Sequence, residues 1–347
     1  MNRIEIFVST LRDGSHAIKQ NLSKKNIAEY CQIMDEAGMS TIIVGHGNGL
    51  GASSLQTGLS TLSDTEMLAV ARENLSKTPL GVFLIPGYGT IKDDLVPAMG
   101  IGVDLVCVAC HCTEANVTKQ HITYVKTHDK QAFGVLMMYH TASTQVLVAE
   151  ALKMQSYGAD GVIIMDSAGA STPGLVSRTI TTLKNALDIK VGFHPHNNLG
   201  MAVGNAFVAY ESGADIIDAT VKGFGAGAGN CQMEAFIALL QKAGALSDVD
   251  LDVLLDAGEQ VVGPIWQSGK SLDSLSIVSG LSGVFSTFTP HVKAAAKEFG
   301  IRERDIFLEL GKRKVVGGQE DVVVDVALNL AQLSKNSVAE DLISSLL

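Results

Sequence analysis

Three short stretches carry residue types that could do chemistry. The run STLRDGSHA sets Arg12, Asp13 and His16 close together, a fixed cation, a carboxylate and an imidazole. Side by side, such groups can neutralise developing negative charge, ligate a metal and move a proton. The run FHPHNN puts His194 and His196 two positions apart, a spacing that projects both rings from one face of a strand. Two imidazoles with a carboxylate from a neighbouring strand form a divalent-metal site with open positions, the two-His, one-carboxylate arrangement. Completion of such a site by water favours Mn²⁺, Mg²⁺, Co²⁺ or Fe²⁺ over a closed structural zinc. A lone histidine at a strand end usually serves the fold, but the coincidence of HxH with RDxxH favours chemistry. The third stretch, GFGAGAGNCQ (223–232), is a Gly-rich loop. It reads either as a phosphate cradle or as backbone that approaches a metal-bound substrate closely, with Asn230 offering a carbonyl oxygen. A fourth candidate, VCVACHC (106–112), is set aside as a metal motif. Its cysteines alternate along a buried strand, and no second cysteine pair completes a zinc site.

The elements that must position these residues alternate between short β-branched runs and helical stretches, the pattern of parallel βαβ units. Strands are expected at 4–8, 41–46, 80–86, 104–109, 132–138, 161–166, 190–196 and 215–220, with helices such as 24–37, 143–157 and 200–212 between them. Eight near-continuous apolar strands, with the polar residues gathered in the loops that follow them, describe an α/β fold, a TIM (β/α)8 barrel. Its active site is expected at the C-terminal ends of the strands. After about residue 245 strand signals vanish, and helical patterns take over at 292–299 and 322–333. The expected organisation is a barrel over 1–245 followed by a smaller, mostly helical domain over 246–347. The segment 311–327 between these patterns reads on its own as a solvated turn before a packed helix.

Composition narrows the function further. With 26 Lys+Arg against 36 Asp+Glu, the net charge of -10 and the lack of a basic run argue against nucleic acid or an anionic membrane as partner. Hydrophobic residues reach 46% and charged residues only 18%, which suits a large buried core and excludes dominant disorder. No apolar run has the length of a membrane span. The N-terminus lacks the pattern of a signal peptide, and five cysteines form no paired framework. A cytoplasmic enzyme is expected.

Several motifs, in order along almost the whole chain, resemble one family. TLRDGSHA, GHGNGLGASS, LMMYH, MDSAGA, HPHNNLG, GAGAGN and VGGQEDVVVDVA are similar to segments of the 4-hydroxy-2-oxovalerate (4-hydroxy-2-oxopentanoate) aldolases of the pyruvate-metallolyase TIM-barrel superfamily. The resemblance implies a divalent-metal (class II) aldolase that cleaves a 4-hydroxy-2-oxo acid reversibly to pyruvate and an aldehyde through a metal-stabilised pyruvate enolate, as in aromatic hydrocarbon catabolism. Carried over, it implies Asp13, His194 and His196 as metal ligands, with Asn230 a weaker fourth, and Mn²⁺ as the ion ahead of Mg²⁺ or Co²⁺. Arg12 would face the enolate oxygen, and His16 would take the proton of the 4-hydroxyl. Ser167, Tyr139 and Phe285 would line the substrate pocket with Arg12. The C-terminal region resembles the domain on which these aldolases dock an acylating aldehyde dehydrogenase, and an oligomer is expected.

The sequence departs from that pattern at the aldehyde end. GVFS (283–286) carries Phe285 where the family has a tyrosine, so a phenol close to the substrate hydroxyl is missing. In IVGHGNG, Ile43 and Asn48 replace two expected carboxylates, while Tyr88 and Tyr139 add bulk at strand ends. The expectation is an intact enolate half with a reshaped acceptor pocket, and an acceptor other than acetaldehyde. Two alternatives stand beside it: a Claisen-type synthase acting on an acyl-CoA, and a weakly catalytic partner protein that keeps the docking domain.

Overall fold

The computed structural model describes residues 4–245, 249–266 and 272–333. Eight parallel strands close on themselves in chain order: β1 (Glu5–Val8), β2 (Thr41–Ile43), β3 (Leu80–Leu84), β4 (Leu105–His111), β5 (Gln131–Met137), β6 (Gly161–Asp166), β7 (Lys190–Pro195) and β8 (Ile216–Ala219). The ring closes through β1 and β8, where Glu5 pairs with Ile216 and Phe7 with Asp218. This is the TIM barrel that the eight apolar runs predict. β2 is shorter than expected because the chain turns at His46, whose carbonyl accepts from Gly49 N (2.7 Å) and whose Nδ1 accepts from Asn48 N (3.0 Å).

Alternation along each strand builds two apolar layers, which is why the runs read as continuously hydrophobic. Phe7, Phe83, Cys107, Ala109, Phe133, Val135, Ile163 and Ile216 fill the barrel interior. Phe7 and Phe133 meet there edge to face with centroids 5.1 Å apart. Ile6, Val8, Val82, Val106, Val108 and Ile217 point outward into the layer shared with the helices. The same alternation divides the cysteine-rich strand, since Cys107 lies inside whereas Cys110 and Cys112 pack in the outer layer. All five cysteines are free and buried.

The surrounding helices begin where their sequences say they should. Ser23 with Asn26 and Ser63 with Glu66 form reciprocal capping boxes at the starts of Lys24–Met34 and Asp64–Asn74. The first of these helices buries Ile27, Tyr30, Cys31 and Met34 on one face.

Past the barrel, helices Ser274–Ser282, Thr289–Phe299 and Glu303–Arg313 and a helical run over 322–333 enclose a separate core around Val284, Phe288, Val292, Phe307, Leu310 and Val326. The division expected at 245/246 is displaced. Val249, Leu254, Ala257, Val261, Val262 and Trp266 all belong to the barrel's core, so the break between the two cores follows Trp266. The cause is packing that hydropathy alone does not reveal: helix Leu251–Ala257 lies against helix Lys24–Met34.

The smaller domain sits over the C-terminal ends of the strands. Buried Asn198, just beyond β7, donates through Nδ2 to Ser286 Oγ (2.8 Å) and Ser279 Oγ (3.3 Å). His140, beyond β5, places Nε2 3.3 Å from the Gly283 carbonyl. Among the described residues no helix is long and apolar enough to cross a membrane.

Candidate metal centre and active site

β7 delivers His194 from its C-terminal end into the barrel and His196 just after, on the same side. Their Nε2 atoms lie 3.3 Å apart. Asp13, in the loop after β1, joins them, and among the described residues these three form the one group of His, Cys, Asp and Glu side chains able to share an ion. Their ligand atoms lie within 4.8 Å of one another, and all three residues are buried. A separation of 3.3 Å suits adjacent ligands around an ion held at about 2.1 Å.

Two further features fit a cation. His194 Nδ1 lies 2.8 Å from Asp218 Oδ2, an acceptor, so Nδ1 carries the proton and Nε2 presents a lone pair to the site. Asn230 donates through Nδ2 to Asp13 Oδ2 (2.6 Å), leaving its Oδ1 buried without a partner beside the triad.

Charge is arranged to keep the triad ligand-competent. Burial acts to raise the Asp13 carboxyl. Arg12 and the imidazoles of His196, His16 and His194 outweigh it and hold the group well below the usual carboxylate range. Burial pushes His196 down to about 3 against the opposing pull of Asp13, so its ring is neutral at working pH. Ala226 N also donates to Asp13 Oδ2 (3.2 Å). The Gly-rich loop therefore wraps a protein carboxylate. A Cβ at Gly225 would lie 2.3 Å from Asn230 Nδ2 and 2.5 Å from Asp13 Oδ2, which explains a glycine there as a close approach of backbone to the site.

Arg12 is held from four sides. Its Nη1 donates to Asp13 Oδ1 (2.9 Å) and to the Gly47 carbonyl (3.2 Å), its Nη2 reaches Ser9 Oγ (3.4 Å), and its guanidinium carbon stands 4.6 Å over the Phe83 ring. Ser9 Oγ in turn donates to Asp218 Oδ2 (2.8 Å), linking Arg12 to the support of His194. The His16 ring lies flat against Gly47, where a Cβ would come within 2.5 Å of it. Burial lowers His16 to about 4, with Asp13 pulling the other way and Arg12 and His46 adding to the drop.

These groups lie at one end of a cavity of roughly 1280 Å³ between the barrel mouth and the smaller domain. Arg12, Asp13, His16, Ser167 and His196 line it from the barrel, and Phe285, Gly317 and Glu320 from the smaller domain. Ser167 Oγ also accepts from Met138 N (3.1 Å). Asn48 and Tyr88 reach the cavity, whereas Ile43 is an apolar plug inside the barrel. Burial, with Glu320 nearby, raises the Tyr88 phenol. The segment 311–327 ends helix Glu303–Arg313, turns over 314–321 and enters the next helix at 322, and the turn contributes a wall of the cavity.

Tyr139, expected in the pocket, is not there. It is fully buried in the outer layer, edge to face with Phe193 at 6.1 Å. Met138 takes a left-handed conformation (φ +56°) that breaks the strand alternation and turns the next side chain away from the mouth.

Sequence reading missed the supports. Asp218 could have been found as a carboxylate inside the apolar strand IIDA. Ser9, Gly47 and Gln20 carried no such signal, because their roles depend on which loops meet.

Residues 3–261 match the HMGL-like family, and residues 270–332 match the DmpG-like communication domain. A 4-hydroxy-2-oxovalerate aldolase of Pectobacterium atrosepticum is 49% identical over 329 residues, covering 95% of this chain and 96% of that protein. One from Spirochaeta aurantia is 50% identical over 318 residues, covering 92% and 93%. Among solved structures, the carboxyl transferase domain of Rhizobium etli pyruvate carboxylase superposes with a TM-score of 0.77 at 16% identity, covering 96% of this chain and 61% of that one. At that identity the likeness concerns the fold alone.

Proposed function

The chain belongs to the 4-hydroxy-2-oxovalerate aldolase family, carbon–carbon lyases, and from that premise we propose that it cleaves a 4-hydroxy-2-oxo acid reversibly to pyruvate and an aldehyde with a divalent ion held by Asp13, His194 and His196. The observation that carries this reading is the buried convergence of that triad beside Arg12 at the end of a substrate-sized cavity. Asn230 Oδ1 is the weaker fourth donor. Mn²⁺ suits two imidazoles and a carboxylate with open positions, and Mg²⁺ or Co²⁺ would substitute. Once bound, such an ion supplies Lewis acidity toward the carboxylate and 2-oxo oxygens of the substrate.

The chain's own residues do the rest. As C3–C4 breaks, its electron pair passes to C3 and on toward the 2-oxo oxygen, while C4 becomes the aldehyde carbonyl. Arg12, locked in place before the reaction, offers fixed positive charge where that oxygen gains negative charge. His16 takes the proton from the 4-hydroxyl; its low pKa keeps the ring neutral. In condensation the same ring returns the proton.

Ser167 lines the pocket, and Phe285 and Tyr88 shape its aldehyde end. Phe285 has no hydroxyl with which to orient the substrate, which supports an acceptor other than acetaldehyde. The match to a communication domain supports docking of an acylating aldehyde dehydrogenase on the C-terminal domain; that the chain works as an oligomer belongs to the same reading. Five free, buried cysteines support work in a reducing, cytoplasmic setting.

Release of pyruvate from 4-hydroxy-2-oxovalerate and longer homologues tests the reading. Turnover lost on chelation and restored by Mn²⁺ supports it; turnover indifferent to chelation contradicts it.

A further inference from the structure

We propose that Gln20 is a positioning residue that holds resting, neutral His16 with its proton on Nε2, so that His16 becomes a base only when the Gln20 amide turns. The inference rests on the aldolase reading for the role of His16, but its structural part stands by itself. Gln20 Oε1 accepts from Gly47 N at 2.9 Å. A backbone N–H can only donate, so this contact fixes which end of the amide is oxygen. The other end, Nε2, lies 3.3 Å from His16 Nδ1. An amide nitrogen also only donates, so Nδ1 accepts, and the neutral ring carries its proton on Nε2.

Because Nδ1 is turned to Gln20, Nε2 is the nitrogen left for a substrate hydroxyl, and taking a proton there needs the other tautomer. An Nε2 that already carries hydrogen has no lone pair there, and accepting through Nε2 means that Nδ1 is the protonated nitrogen before and after transfer. With Gln20 as it stands, Nδ1–H would face N–H. Turning the amide would present Oε1 to Nδ1–H at the cost of the Gly47 contact. Activation of the base is thereby coupled to the loop after β2, the same loop whose Gly47 carbonyl holds Arg12.

The placement of Gln20 is built rather than incidental. Lys19 (φ +54°) and Gln20 (φ +63°) are consecutive non-glycine residues in the left-handed region, a conformation the surrounding structure must impose. Gln20 N donates to Ser15 O (2.7 Å), and its carbonyl accepts from Thr61 N (3.3 Å). The residue is buried, 4% exposed. The charged and titratable groups acting on His16 are Asp13, Arg12, His46 and His196. The amide N–H that faces Nδ1 is what leaves that nitrogen bare, so the place of the ring's proton is what Gln20 sets.

The test is a long-range ¹⁵N–¹H correlation spectrum of protein labelled at histidine and loaded with diamagnetic Mg²⁺, with His16 assigned by its loss in His16→Asn. The expected result is a bare Nδ1 and a protonated Nε2. Gln20→Glu keeps an acceptor for Gly47 N and places a second beside Nδ1. It should move the proton to Nδ1 and raise kcat for cleavage roughly three- to tenfold, the worth of one hydrogen bond, with KM little changed. A protonated Nδ1 in the unaltered protein, or a Gln20→Glu spectrum with the proton still on Nε2, overturns the proposal. Should Gln20→Glu not fold, the spectrum of the unaltered protein decides alone. The expected tautomers in a protein that never releases pyruvate would leave the Gln20 assignment standing and sink the aldolase reading.

Discussion

The two ends of the cavity are built differently. The end at β1, β7 and β8 is rigid: Arg12, Asp13, His194, His196, Asp218 and Asn230 are all buried and joined by short hydrogen bonds, and most stand on strands or within a few residues of them. The wall formed by Tyr88, Phe285 and Glu320 is drawn from a loop and from a second domain, with His111 at the end of β4 beside it. Its polar groups are less fully met: among the described residues His111 Nδ1 meets Thr113 Oγ1 (2.8 Å), while its Nε2 is buried without a partner. Chemistry that tolerates little displacement is placed on the scaffold, and recognition that varies with the substrate is placed on the loops. Of the residues that depart from the expected pattern, Phe285 and Tyr88 stand on the loop- and domain-built wall, Asn48 follows the Gly47 that holds Arg12, and Ile43 is inside the barrel.

Breaking the rigid end should have the largest effect. His194→Ala removes an expected ligand and a buried hydrogen-bonded ring, and turnover should fall on the order of a thousandfold or more, several kcal/mol of barrier, with the far-UV circular dichroism unchanged. Full activity in that variant would contradict the metal assignment. Asp218→Asn tests the support behind it. Loss of the carboxylate that orients His194 should weaken metal affinity about 10- to 100-fold, read by calorimetric titration with Mn²⁺. Unchanged affinity would mean that strand geometry alone holds the ring.

Phe285→Tyr sharpens the contrast from the other side. A restored phenol at the loop-built end should shift aldehyde preference and KM by about 0.5–1.5 kcal/mol, a few-fold to tenfold, in competition assays between aldehydes. Reaction at pyruvate should be untouched. The smallest effect concerns pH. A base lowered to about 4 stays neutral well below the ordinary imidazole value of 6.5, so the acid limb of kcat/KM that belongs to His16 should lie nearer 4 than 6.5. The sign for stability is the same. Between those values the unfolded chain binds the proton that folded His16 refuses, so the contribution of this residue to stability rises with pH across that window.

The division between the two ends also governs how much was legible in sequence. The barrel could be read because eight two-sided strands leave eight apolar runs, and the HxH pair because strand periodicity fixes where two alternate residues point. Asp13 was singled out with its neighbours, but its meeting with β7 depends on closure of the barrel between β8 and β1. Asp218 was overlooked although a carboxylate in IIDA is a visible anomaly. Tyr139 lies in the outer core and not in the pocket because a single left-handed residue, Met138, interrupts the strand alternation. That the barrel's core extends to Trp266 is not legible in sequence, because helix Leu251–Ala257 reads as ordinary amphipathic helix whichever core it covers. Local periodicity survives in sequence; contacts between loops distant in the chain do not.

The most direct test of the central claim needs no knowledge of the aldehyde. Proton exchange at the methyl group of pyruvate in D₂O, followed by NMR, isolates the rigid end: it requires deprotonation next to a polarised 2-oxo group and nothing from the acceptor pocket. The expected result is exchange that depends on Mn²⁺, stops on chelation and persists in Phe285→Tyr. Protein shown to bind metal that leaves the methyl protons untouched would contradict it.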